Sequence, residues 1–309
     1  RNPLYHWTHL ELNRYFGVKQ LLDGTNAEAI FELTKASLST SNMGCQGLLD
    51  MMNVKVVCTT DDPADDLNHH KTFKKSSLKM LPTFRPDATY DFKNPDYLIY
   101  LERLGSVAKV NIRSFDDLLQ ALKERLHYFD TVGCRLSDHG LDNIPLPSSK
   151  NKLSPDLLFS KILNGKMLNT EEHNHLKFEI LLFLGKEYHK REWVQQYHLG
   201  ALRSTNSRML KELGPDTGFD SIGDFKQAVP LANIMDKLNS TDQLPKTIIY
   251  NLNPADNALM ASMIGNFNGG SVKGKIQWGS GWWYLDQKDG MEEQLNMLSN
   301  MGLISCFVG

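Results

Sequence analysis

Short apolar runs recur along the chain, and each is followed by a longer stretch in which apolar residues have helical spacing. This alternation is typical of a parallel sheet with crossover helices. Several runs are nearly continuous in apolar residues, which favours strands that are covered on both faces. The pattern predicts seven strands, at residues 54–59, 78–84, 132–137, 193–199, 246–252, 274–278 and 303–308.

Helix signals fill the segments between these runs. Ser114 stands before an apolar-periodic stretch with Asp117 at the third helical position, the arrangement of a capping box. Thr170 is followed by two acids, which favour the start of a helix because they interact well with its dipole. Further helices are predicted at 27–38 and 291–298. Seven strand-and-helix units fit either an open doubly wound sheet or an eight-stranded barrel that lacks one strand.

The chain is predicted to consist of two parts. Residues 1–50 form a helical segment that leads into the barrel, and residues 51–309 form an incomplete (β/α) barrel. Three prolines between 143 and 155 predict an excursion from the compact body near 143–190. The chain begins without Met and ends in an apolar run, so we expect a piece of a longer protein.

Composition narrows the classes of partner. Lys and Arg total 34 against 36 Asp and Glu, so the basic excess that nucleic acid or an anionic membrane attracts is missing. The longest apolar run, 180–184, is far shorter than the roughly 20 residues of a membrane span. Four cysteines without a Cys-x-x-Cys pair indicate a reducing compartment. Cys58, Cys134 and Cys306 lie in predicted strands, where we expect them to pack as small hydrophobes.

Polar residues at the carboxyl ends of predicted strands are the strongest candidates for function, because parallel α/β folds bind ligands there. Arg85 stands between Pro82 and Pro86, which restrict its backbone, and a guanidinium suits a carboxylate ligand. The alternative for Arg85 is a structural ion pair with Asp87. Asp138, at the end of the third run, could serve as a base, a metal ligand or the partner of one.

The fourth predicted strand carries another candidate group. Gln196 and His198 share one face of the strand, while Tyr197 points to the other. A histidine at a strand end suits metal binding or proton transfer, and Arg203 could hold an anionic substrate. Trp282, one of two adjacent indoles, suits the apolar face of a sugar, with ordinary packing as the alternative. A dinucleotide is not expected, because no Gly-x-Gly-x-x-Gly motif follows any predicted strand.

Six segments together resemble the uronate (glucuronate) isomerase family of the amidohydrolase superfamily. They are YHWTHL at 5–10, CTTDDP at 58–63, FRPD at 84–87, SDH at 137–139, HLGALR at 198–203 and GWW at 281–283. The resemblance covers essentially the whole chain. It implies a distorted TIM-type (β/α)8 barrel that here lacks the first strand. It also implies bacterial, cytoplasmic sugar-acid catabolism, in which D-glucuronate is converted to D-fructuronate and D-galacturonate to D-tagaturonate.

The resemblance also assigns roles where the motifs match. Arg85, Arg203 and Trp282 correspond to substrate-binding residues, and Asp138 and His198 to catalytic ones, with His198 also a candidate metal ligand. It implies a divalent metal, zinc, in the complete enzyme, with the other ligands outside this chain. The superfamily's His-x-His pair and last-strand Asp, to which the base is generally assigned, are absent from the sequence. We therefore expect the chain alone to be inactive.

Aldose–ketose isomerisation moves a proton from C2 to C1 through an enediolate, which needs an acid–base group and stabilisation of the oxygens. A second hypothesis is a metal-dependent hydrolase of the amidohydrolase type, in which a metal-bound hydroxide attacks an amide or lactone. A third is an inert fragment with an unclosed barrel, whose free strand edges invite association. The expected partner is a small-molecule uronate, with no nucleic acid and no membrane, and a homo-oligomer is left open.

Overall fold

A computed structural model describes residues 3–74, 77–147, 153–270 and 272–308. The chain divides into two units, one of residues 1–57 and 73–80 and the other of residues 58–72 and 81–309. The first unit contains three helices, α1 (Pro3–Phe16), α2 (Ala27–Leu38) and α3 (Cys45–Met51). The second unit contains most of the sheet and the whole of the candidate site.

In the described part of the chain, seven strands form one sheet, and two short strands form a separate antiparallel ribbon. The strands of the sheet are β1 (Val56–Asp61), β2 (Lys79–Phe84), β3 (Leu136–Leu141), β4 (Val194–Leu199), β7 (Lys246–Asn251), β8 (Ile276–Gly279) and β9 (Phe307–Val308). The ribbon consists of β5 (Ala201–Leu202) and β6 (Ser221–Ile222). Within the sheet, β2, β3, β4, β7, β8 and β9 pair in parallel with their neighbours.

The order of the strands decides between the two folds that the sequence pattern left open. Across the sheet the order is β1-β2-β3-β4-β7-β8-β9, so it follows the chain without reversal. A doubly wound sheet reverses its order at a switch point, whereas a (β/α)8 barrel adds each strand beside the one before it. The predicted α/β fold, a distorted TIM-type barrel, is therefore confirmed, with seven strands among the described residues.

Helices follow the strands as the periodicity predicts. Those of the second unit are α4 (Asn68–Thr72), α5 (Tyr97–Ala108), α6 (Phe115–Thr131), α7 (Pro155–Leu163), α8 (Thr170–Lys190), α9 (Ser207–Leu213), α10 (Ala228–Asn239), α11 (Asn257–Gly265) and α12 (Lys288–Met301). The Ser114 side chain caps α6 by accepting a hydrogen bond from the backbone N–H of Asp117. Helix α8 begins with a reciprocal capping box between Asn169 and Glu172. No helix in the described part of the chain combines the length and hydropathy that a membrane crossing requires.

Two predicted strands are displaced, for a local reason in each case. The third was expected at 132–137 but begins at Leu136, because α6 runs to Thr131 and the chain turns at Gly133, where φ is +102°. Asp138 and His139 therefore lie within β3 and not after it. The last strand was expected from residue 303, but Ile304–Cys306 form a 3-10 turn and leave only two residues for β9.

The predicted excursion near 143–190 includes residues 148–152, which lie outside the described residues. The remainder contains α7 and α8, and apolar side chains of both helices, such as Phe159 and Leu181, belong to the hydrophobic core. Of the cysteines expected in the core, Cys134 and Cys306 are buried. The expectation for Cys58 is wrong, since β1 is an edge strand and this thiol is exposed.

Alternation along the central strands separates core from site. Tyr197, Leu199 and Ile249 point from β4 and β7 into the hydrophobic core, where helices cover the sheet. The residues between them, including His198 and Tyr250, point to the other face. Because the strands are parallel, the polar residues of that second face gather at one end of the barrel.

Candidate active site

All five predicted site residues line one cavity of about 460 Å³ at the carboxyl ends of the strands. They are Arg85, Asp138, His198, Arg203 and Trp282. Three further acids line the same cavity, Asp87, Asp142 and Asp216, which sequence reasoning did not assign to the site.

Asp138 and His198 form a hydrogen-bonded pair across β3 and β4. The Nδ1 atom of His198 lies 2.6 Å from Oδ1 of Asp138. Burial acts to raise the pKa of Asp138, but the hydrogen bond from His198 and the charges of His198 and Arg85 outweigh it, so the pKa lies below its usual value. An ionised carboxylate only accepts hydrogen bonds, so Nδ1 carries the proton. Nε2 is then the ring nitrogen left for a ligand.

Arg85 follows β2 and contacts two carboxylates. Its Nη1 atom lies 3.1 Å from Oδ2 of Asp138, and its Nε donates to Oδ2 of Asp87 at 2.9 Å. The ion pair with Asp87 that the sequence suggested is thus present, and the same guanidinium also lines the cavity. Gly140 makes room for it, because a Cβ atom at this position would lie 2.4 Å from Nη2 of Arg85.

A buried polar chain supports Asp87 from the core. Tyr90 donates to Asp87, and its hydroxyl lies 3.1 Å from Nδ1 of His139. Nε2 of His139 lies 3.2 Å from the hydroxyl of Tyr188. Burial lowers the pKa of His139 to about 4, so this imidazole is neutral near pH 7. His139 is fully buried on the core side of β3 and contacts the site through Tyr90 and Asp87.

Arg203 lies at the end of the β5–β6 ribbon and is held by three groups. Its Nη1 atom donates to Asp216 at 3.1 Å and to Asp220 at 3.2 Å. Its guanidinium carbon lies 4.4 Å from the ring centre of Trp283, a cation–π contact. These contacts keep a partly exposed guanidinium at the cavity wall.

Trp282 forms the aromatic side of the cavity. Its ring meets the His198 ring nearly at right angles, with centroids 4.9 Å apart, and stacks on Trp283 at 5.0 Å. Its indole N–H is buried and has no hydrogen-bond partner among the described residues. Such a donor costs about 1–3 kcal/mol when it stays unpaired, which favours a ligand oxygen beside it.

Tyr250 contacts the site, and sequence reasoning missed it. Its ring stacks on the ring of His198 with centroids 4.3 Å apart. The available signal was its place near the end of the predicted strand 246–252, on the face opposite to Ile249 and Asn251. A tyrosine in an apolar run is ordinarily a core residue, so the pattern alone did not single it out.

The fit of these residues to a metal ion is poor. The described residues contain no group of three or more His, Cys, Asp or Glu side chains placed to hold a metal. Both oxygens of Asp138 are engaged, one by His198 and one by Arg85. Nε2 of His198 is therefore the ligand that this pair can offer, and one imidazole does not make a metal centre. The role of His198 as a metal ligand stays a prediction.

Comparison with known proteins identifies similar sequences over the full length of the chain. The family model described as glucuronate isomerase matches residues 1–309. Uronate isomerases from Flavobacterium johnsoniae and Shouchella clausii are 52% and 48% identical over 312 and 311 residues. Each alignment covers 100% of this chain and 66% of the relative. The chain thus spans slightly less than two thirds of the length of these curated relatives.

Solved structures give the same picture of the fold. The uronate isomerase of Thermotoga maritima matches with a TM-score of 0.88 and 32% identity, over 98% of this chain and 65% of that one. The glucuronate isomerase of Caulobacter crescentus matches with a TM-score of 0.89 and 22% identity, over 99% of this chain and 63% of that one. The second match supports the fold alone, because its sequence identity is low.

Proposed function

The chain belongs to the glucuronate isomerase family, and on this premise we propose that the protein converts D-glucuronate to D-fructuronate and D-galacturonate to D-tagaturonate. One observation carries the proposal. A single cavity of about 460 Å³ is lined by two guanidinium groups, an Asp–His pair and an indole. Its size lies in the range of small-molecule sites, and this set of groups suits a sugar acid.

Arg85 and Arg203 are the groups that bind the substrate in this proposal. A guanidinium carries five N–H donors in a planar fork, which suits a carboxylate and its neighbouring hydroxyls. Both arginines are oriented by acids, Arg85 by Asp87 and Asp138 and Arg203 by Asp216 and Asp220. Preorganised donors lose less entropy when they bind than free side chains do.

His198 takes part in the proton transfer, alongside the family's last-strand Asp, which this sequence lacks. The reaction removes a proton from C2, forms an enediolate and returns a proton at C1. With Nδ1–H held by Asp138, the Nε2 lone pair of the neutral ring can take a proton. The ionised Asp138 then stabilises the imidazolium and fixes its orientation, as a carboxylate does beside a catalytic histidine.

Trp282 contacts the sugar ring in this proposal. Its aromatic face suits the C–H groups of a sugar, and its unpaired indole N–H suits a hydroxyl. Both contacts orient the substrate relative to His198, which the indole itself touches.

A divalent ion, zinc, belongs to the proposal as the resemblance implies, and no step is derived through it. In favour of a cation, four carboxylates line the cavity against two guanidinium groups, so an anionic sugar needs further positive charge. Nε2 of His198 cannot bind a metal and carry a proton at once. Metal analysis of wild type and His198→Asn separates the two roles. A cytoplasmic location belongs to the same proposal.

The test is an assay of the protein expressed from its complete reading frame. Incubation with D-glucuronate or D-galacturonate, followed by NMR, should give the corresponding ketose. Arg203→Ala should lower kcat/KM by roughly tenfold to a hundredfold, because it removes charge-assisted hydrogen bonds to the substrate.

The matched control is Arg208→Ala, which removes an arginine of α9 whose side chain is 81% exposed and pairs with Glu212. This variant should turn over uronates like wild type. Failure of the wild-type protein to form ketose from either uronate contradicts the proposed activity. Wild-type turnover in Arg203→Ala contradicts the substrate-binding role of that residue.

A further inference from the structure

One row of residues crosses the sheet at the level of the cavity. The parallel register aligns Gly140 of β3 with His198 of β4, and His198 with Tyr250 of β7. Neighbouring strands lie about 4.8 Å apart, so flat rings at aligned positions can stack face to face. The row therefore places a tyrosine directly beside the histidine of the Asp–His pair.

The two rings form a parallel stack. Their centroids are 4.3 Å apart and their planes differ by only 6°. Asp138 holds Nδ1 of the same imidazole at 2.6 Å. The hydrogen bond limits rotation of the imidazole in its plane, and the stack limits its tilt out of that plane. Together they leave one orientation for Nε2.

Tyr250 is itself held in place from two directions. Its hydroxyl donates to Oε1 of Gln196 at 3.1 Å, and Gln196 lies on the same face of β4 as His198. Gly279 of β8 lies against its ring, because a Cβ atom at that position would stand 2.0 Å from a ring carbon. Burial, and to a smaller extent the charge of Asp138, raise the pKa of Tyr250, so its hydroxyl stays protonated as a donor.

We propose that Tyr250 is a positioning residue that keeps the His198 imidazole in its proton-transfer orientation by stacking on it. Tyr250 is not among the residues that line the cavity, so it acts through His198. The inference rests on the proposed function, in which His198 takes part in proton transfer. A tilted imidazole misaligns proton transfer, while the arginines still bind the substrate, so the effect belongs in kcat.

The kinetic test compares Tyr250→Leu with Tyr250→Phe in the protein expressed from its complete reading frame, with D-glucuronate as substrate. Tyr250→Leu removes the ring and should lower kcat roughly tenfold, with KM changed by less than about twofold. Tyr250→Phe keeps the ring and loses only the hydroxyl, so it should restore most of kcat. Tyr128→Leu is the matched control, since Tyr128 stacks on Arg125 away from the cavity.

A second readout does not depend on activity. Histidine labelled with ¹³C at Cε1 gives one resonance for each imidazole, and the His198 signal is the one that His198→Asn removes. The face of an aromatic ring shields a nucleus stacked on it. The His198 proton should therefore move downfield in Tyr250→Leu and keep its wild-type shift in Tyr250→Phe.

The outcomes separate the two proposals. A wild-type protein without isomerase activity overturns the proposed function, while the resonance still reports whether the stack exists. An unshifted His198 resonance in Tyr250→Leu, or an unchanged kcat, overturns the positioning role. If thermal melting shows that Tyr250→Leu does not fold, Tyr250→Met replaces it, because methionine fills a similar space without a ring.

Discussion

At the scale of single residues, Asp138 contacts two other residues of the candidate site, His198 and Arg85. One of its oxygens contacts His198 and the other contacts Arg85, so the proposed proton-transfer group and a proposed substrate-binding group share one carboxylate. Its lowered pKa makes it a weak base, which favours an orienting role over direct proton abstraction. Of the roles that the sequence left open for Asp138, the contact with His198 thus favours that of a partner which orients another group.

The buried His139 leads to a prediction about stability and pH. Its pKa is about 4 in the folded protein against 6.5 for the ordinary side chain, because burial disfavours the charged form. The unfolded chain therefore takes up a proton first as the pH falls. The free energy of unfolding should decrease from pH 6.5 to pH 4 by up to roughly 1.4 kcal/mol per pH unit for this one proton.

Urea denaturation at several pH values measures this slope. His139→Gln keeps a donor and an acceptor between Tyr90 and Tyr188 and removes the titrating group, so its slope in this window should be shallower. His127→Gln, at an exposed position of α6, should keep the wild-type slope. Equal slopes for wild type and His139→Gln would show that His139 does not contribute to the acid sensitivity.

Residues with a distinctive local context could be predicted, and residues defined by register could not. Arg85 follows one predicted strand and His198 lies near the end of another, both within recognisable motifs, and both line the cavity. Tyr250 depends on the alignment of β4 with β7, which is set by long-range pairing and leaves no mark in the local sequence. Asp216 also could not be predicted from its local sequence, because its place in the site depends on the ion pair with Arg203.

At the scale of elements, helix α8 connects the core to the site. It supplies Tyr188 to the chain that supports Asp87, and it leads into β4, which carries His198. Its N-terminus is fixed by the Asn169–Glu172 capping box. Asn169→Ala should lower the free energy of unfolding by about 1 kcal/mol, because the cap satisfies a backbone N–H that is otherwise unpaired.

Urea denaturation tests this at neutral pH. Thr170→Ala is the matched control, since it changes the neighbouring residue and leaves the cap intact, and its stability should stay within about 0.5 kcal/mol of wild type. The kcat of Asn169→Ala on D-glucuronate should equal that of wild type. A loss of activity without a loss of stability would mean that the cap acts on the site.

The existence of the elements was easier to predict than their limits. Each of the seven strands of the sheet overlaps one of the seven predicted runs, because apolar runs separated by stretches of helical spacing are a strong signal. The limits of β3 were wrong because Val132 and Cys134 look like strand residues, yet they close α6. The ribbon of β5 and β6 was missed because two-residue strands have no periodicity.

At the scale of the whole molecule, the order of the strands explains why distant residues form one site. A barrel that adds strands in chain order places all carboxyl ends on one rim. Arg85, His198 and Trp282 therefore meet although long segments separate them in the sequence. The sequence pattern alone fitted a doubly wound sheet equally well, because both folds use the same strand-and-helix unit. The resemblance to the uronate isomerase family favoured the barrel, and the observed order of the strands confirms it.

A ligand that bridges this rim should stabilise the whole fold. D-glucuronate bound to the native state alone should add about 2.7 kcal/mol of stability at a concentration of 100 times Kd, measured as a rise in Tm. Under the proposed function the half-exposed Arg203 binds the carboxylate, and salt screens the attraction between these two charges. The rise in Tm should therefore be smaller in 1 M salt. D-glucose, which lacks the carboxylate, should raise Tm less than D-glucuronate at the same concentration. Equal Tm shifts for the two sugars would mean that the arginines do not recognise the carboxylate. If D-glucuronate raised the Tm of Arg203→Ala as much as that of wild type, Arg203 would not take part in binding.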